Sequence, residues 1–194
     1  MINHPFTVAR FTILLLVLVA PLCAFAHAAS KAAPAKRDHL TAQESDLVRE
    51  EQTLDRRTAV FVKAVERRFL VLTDTNAAAS KVVQKDSEKW GELPKGTHTE
   101  LLGDIAKILD EAITNIDDVA ERDAKNPLLS KSLRKLSEAS TRFLAQLDLM
   151  RAAAQSDDER EAIDQAIENA QAIITAAQKL PPETVKSKKE KGKS

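Results

Sequence analysis

From Leu40 to Trp90 the chain runs without a glycine or a proline, and apolar or small residues recur at Leu47, Leu54, Phe61, Val65, Phe69, Leu72, Ala79 and Val83. Steps of three, four or seven place these residues on one helical face. Thr41-Ala42-Gln43-Glu44 is a capping box at the start of the run, with Leu40 at the staple position before it. The pattern predicts one helix of about 50 residues, about 75 Å long at 1.5 Å per residue. A break near Thr73-Asp74-Thr75-Asn76 is the alternative, because these side chains compete for backbone hydrogen bonds.

Three shorter stripes follow. Trp90 to Gly96 (WGELPKG) reads as a loop, and Thr97-His98-Thr99-Glu100 is a second capping box. The next helix carries Leu101, Ile105, Ile108, Ala112, Ile116 and Val119 on one face. Asn126-Pro127 ends it and opens another, Asn as cap and Pro in the first turn. That third stripe is Leu129, Leu133, Leu136, Phe143, Leu147 and Met150. Ser156-Asp157-Asp158-Glu159 is a third capping box, before Ile163, Ile167, Ala170, Ile174 and Ala177. Pro181-Pro182 stops the last helix. The expectation is an all-α fold, an up-down bundle of about four helices spanning residues 41–180 with a long first helix.

The ends differ from this body. Residues 1–10 with Arg10, the apolar run Phe11–Val19 and the Ala24-Phe25-Ala26 site predict a secretory signal peptide over residues 1–26, cleaved after Ala26 or, at a second Ala-x-Ala, after Ala28. The uncharged span from Phe11 to Ala26 is 16 residues, short of the roughly 20 that cross a bilayer, and Pro21 interrupts it. Leu22 before Cys23 is not the small residue that lipoprotein processing takes. Residues 27–40 read as a flexible linker, and residues 181–194 as a disordered, Lys-rich tail that is more solubilising than lipid-binding. Export to the periplasm or beyond is the expectation, without stable membrane insertion afterwards.

Net charge is zero over the 194 residues, but 20 Lys/Arg face 27 Asp/Glu between residues 38 and 180. An acidic body with basic ends is the reverse of a nucleic-acid-binding core. The only cysteine is Cys23, in the leader, so the exported chain carries no thiol chemistry. HExxH, paired Glu-x-x-His, Walker, Rossmann and GxSxG motifs are absent. No catalytic residue, metal ligand or cofactor is therefore assigned.

Four features remain. His98 and Met150 lie 28 residues before and 24 after Asn126, at similar height in a hairpin, which would suit a haem between them. The competing reading is a solvated capping-box histidine and a core methionine. Trp90 is either an exposed anchor for a partner or a cap on the bundle end. Arg56-Arg57 and Arg67-Arg68 are either an anion-binding ridge or a solvated face. Leu47, Leu54 and Phe61 stand at coiled-coil spacing on a helix longer than its neighbours can cover. The reading is a non-enzymatic interaction module that binds a protein partner, or a second copy, through Leu47, Leu54, Phe61 and Trp90. A small-ligand carrier is the alternative, and an enzyme of unfamiliar type comes last.

Overall fold

The computed structural model describes residues 37–74 and 76–182. The predicted signal peptide, most of the predicted linker and residues 183–194 of the tail lie outside them. The described chain is all-helical: α1 (Ala42–Glu50), α2 (Leu54–Thr73), a 3-10 turn (Ala77–Ala79), α3 (Lys81–Trp90), α4 (His98–Arg122), α5 (Leu128–Ala153) and α6 (Asp157–Gln178).

Local signals set most of these boundaries. The Thr41 and Thr97 hydroxyls accept from the amides of Glu44 and Glu100, and both glutamates return the bond to the cap residue. Ser156 caps α6 through the Glu159 amide, but the Glu159 carboxylate accepts from Gln155 instead of closing the box. The Asn126 side chain accepts from Leu128, and Pro127 has helical dihedrals, so α5 opens as its Asn-Pro pair predicts. Gly91 ends α3 at φ 66°, a left-handed backbone that a side chain would strain.

The expected 50-residue helix is corrected. It is broken at residues 51–53 and again after Thr73, so the count is six α-helices among the described residues instead of about four. The second break falls where Thr73–Asn76 predicted it. The first has no local signal, and its cause is long-range. Along a straight helix Glu44 and Arg68 would stand about 36 Å apart. They meet at 2.6 Å because α1 folds back onto α2.

The four long helices share the core. α2 packs on α4 and α5, and α6 packs on the same two from the other side. Asp55 pairs with Lys131 and Glu66 with Arg142, so α2 and α5 run the same way. Arg57 reaches Asn115 while Arg68 lies by Asp104, so α2 and α4 run oppositely. Phe61, Val65, Phe69, Leu102, Ile105, Leu109, Leu136, Phe143 and Ile163 are almost fully buried. Phe69 and Phe143 pack with ring centroids 5.4 Å apart. Burying side chains of this size contributes about 1.5–3 kcal/mol each.

Candidate binding cleft and buried charge cluster

The body of the bundle begins before residue 41. Leu40 is 7% exposed, His39 Nε2 is 2.6 Å from Glu111, and Arg37 pairs with Asp104. Residues 37–40, expected in the linker, are packed on α2 and α4. With α1 they form a strap.

The strap closes over a cluster of buried charge. Glu44 is fully buried; its carboxylate accepts twice from Arg68 Nη1, at 2.7 and 2.6 Å, and lies 3.0 Å from Arg67 Nε. Arg68 also donates to the carbonyls of Ala64 and His39. Asp104 stands 3.8 Å from Arg68 and takes Arg37 from the strap. Burial holds the Arg67 guanidinium below its ordinary value, with Glu44 pulling it back. Burial likewise raises the Asp104 carboxyl, against the opposing pull of Arg37 and Arg68. Two acids, Glu44 and Asp104, thus face three arginines, of which Arg67 and Arg68 were expected on the surface. Arg56 alone of the two pairs remains solvated, 4.0 Å from Glu51.

Three of the four residues expected to face a partner are turned inward. Leu47, Leu54 and Phe61 are 6%, 5% and 1% exposed. The stripe is covered by the chain itself, because the breaks shorten the first helix to what its neighbours can bury. Trp90 is half-buried at the end of α3, its ring 5.8 Å from the Arg67 guanidinium and 6.0 Å from Lys89. His98 stays half-exposed and lies 3.3 Å from Glu159, while Met150 packs against the core.

What stays open is a cleft that pattern reading missed. It has a volume of about 540 Å³ and lies between the end of α2, the 3-10 turn, α3 and the loop after it. Val71, Ala77, Ala78, Val83, Leu93 and Pro94 make its apolar walls. α3 buries no residue, and Val82 is 69% exposed. It is held by Lys63–Asp86 at 2.9 Å and, at its C-terminal end, by Arg67, which donates to the carbonyls of Gly91 and Glu92. The polar rim is already engaged: Lys95 pairs with Glu92 at 2.6 Å, and Asp74 accepts from the Asn76 amide. The cleft can therefore hold apolar groups, and it offers no free acid–base pair. Among the described residues no cluster of His, Asp or Glu could hold a metal ion. The only sequence signal for the cleft was the Ala77-Ala78-Ala79 run after the Thr73–Asn76 break, which also fits an ordinary turn.

No protein-family model matches the chain, and no curated protein or solved structure matches it. No described helix is long and apolar enough to cross a membrane.

Proposed function

We propose that this is an exported, non-enzymatic binding protein, periplasmic or secreted. Its four long helices serve as an up-down bundle that presents the α3 cleft to an apolar segment of a protein partner. The observation that carries the reading is the cleft: apolar walls, under a helix that buries none of its own residues. Exposed apolar concavities of this kind mark interaction sites. The n-h-c pattern of residues 1–26 supports export. The acidic body weighs against nucleic acid.

A photo-crosslinking residue at Val83, in cells, tests this. A discrete adduct is expected, and it should vanish when Leu93→Glu places a charge in the cleft wall. Adducts of equal yield from Leu149, an exposed residue on α5, would contradict it. A small apolar ligand is the second reading, because about 540 Å³ falls within the roughly 300–1,000 Å³ of ligand pockets. Binding of N-phenyl-1-naphthylamine, abolished by Ala78→Glu, would favour it. The haem form of that reading gains no support from His98, which faces Glu159.

A further inference from the structure

The break between α1 and α2 has an unusual construction. Glu51, Gln52 and Thr53 include no glycine or proline, and all three are compatible with a helix. Thr53 stands at the N-cap of α2 and makes no capping bond to the helix backbone; its hydroxyl lies by the Asp55 carboxylate instead. Thr41, Thr97 and Ser156 all do cap their helices. Leu47, Leu54 and Phe61 keep a seven-residue spacing straight through the break. Local sequence thus favours one continuous helix; at the bend itself Arg57 donates to the Glu51 carbonyl and Gln52 to that of Glu50, and the buried contacts that hold it are made at a distance. Those contacts are concentrated in one built site. Arg68, 1% exposed, receives Glu44 and the His39 carbonyl, Arg67 receives Glu44, and Asp104 receives Arg37.

We propose that the strap, residues 37–50, exchanges between two copies of this chain. In the exchanged form residues 51–53 become helical and α1 and α2 fuse. Each strap then leaves its own body and seats Glu44 and Arg37 on Arg67, Arg68 and Asp104 of the second copy. The site accepts the same segment in either case, so the contacts between strap and body are remade, the bond from Arg57 to the Glu51 carbonyl is given up, and two continuous helices are gained. A hinge whose bend is imposed from outside is the structural condition for such exchange. The site shares Arg67 with the anchor of α3, but no cleft ligand takes part in the exchange, so this inference stands apart from the proposed function.

The test is native mass spectrometry of the processed protein, after partial unfolding in urea and refolding at high and low protein concentration. Refolding at high concentration is expected to yield a dimer that persists on dilution. Gln52→Pro should leave only monomer. Proline cannot enter the fused helix, while Glu51 already has the extended backbone (φ −76°, ψ 111°) that a residue before proline takes. Thr53→Ala should raise the dimer, by about threefold in the equilibrium for each hinge. Should Gln52→Pro fail to fold, Thr53→Ala decides. No dimer from the wild type at any concentration, a dimer that survives in folded Gln52→Pro, or one that Thr53→Ala leaves unchanged would each overturn the proposal.

Discussion

Glu44 does two jobs with one carboxylate. It closes the capping box of α1 by accepting from the Thr41 amide, and it neutralises Arg67 and Arg68 inside the protein. Removing one member of a buried charge cluster strands the others, at a cost of about 3–5 kcal/mol. Glu44→Ala should therefore lower unfolding free energy by that amount in urea titrations, and a loss below about 1 kcal/mol would mean that water reaches the arginines. Asp104 permits a sharper test through pH. Its carboxyl is raised by burial, so the stability it contributes is full below the unfolded value near 3.9 and is lost as pH rises through the higher folded value. Asn does not titrate. Asp104→Asn should thus compare worst with the wild type near pH 3 and best near pH 7, by calorimetric melting temperature. The reverse trend would show that Arg37 and Arg68 outweigh burial. Asp55, Asp86, Glu92 and Glu100 are lowered, chiefly by Lys131, Lys63, Lys95 and the Thr97 amide, and their share is lost in acid in both proteins.

Elements with a local start signal could be read from the sequence. Thr97 and Glu100 fix where α4 begins, and Thr97→Ala should cost about 1 kcal/mol in the same titration. The apolar period of α4 likewise follows its buried face, whereas α6 buries Ile163, Ala166, Asn169, Ala170 and Ile173 and leaves Ile167, Ile174 and Ala177 half-buried. The strap and the first break could not be read, because neither Glu51, Gln52 nor Thr53 says stop. What bends the chain is an ion pair between residues 24 apart, and a scan of neighbours does not reach that far. The pairs Arg56-Arg57 and Arg67-Arg68 look alike in sequence, yet their fates differ because Glu44 of α1 and Asp104 of α4 place buried carboxylates beside the second pair. α3 stands at the other extreme. With no buried side chain, it should exchange its amide hydrogens faster than α4 or α6 in deuterium-exchange mass spectrometry. Equal protection would mean that α3 is packed as firmly as the bundle, and that the cleft beneath it is closed.

Across the whole molecule, the all-α class followed from four apolar stripes and scarce glycine, while the candidate site did not. The sequence pointed to Leu47, Leu54 and Phe61 because a 50-residue helix would leave them uncovered. Folding back removes that surplus stripe, and the open apolar surface lies instead between the C-terminal end of α2 and α3. The central claim is that this cleft, and not the first-helix stripe, is the surface that meets a partner. Maleimide labelling of single cysteines in a Cys23→Ala background tests it most directly. Ala78→Cys should react in the purified protein and be protected when the protein is labelled in its native envelope or secreted fraction, whereas Leu54→Cys should react in neither. Reaction of Leu54→Cys in the purified protein with protection in the native fraction, and equal reaction of Ala78→Cys in both, would contradict the account.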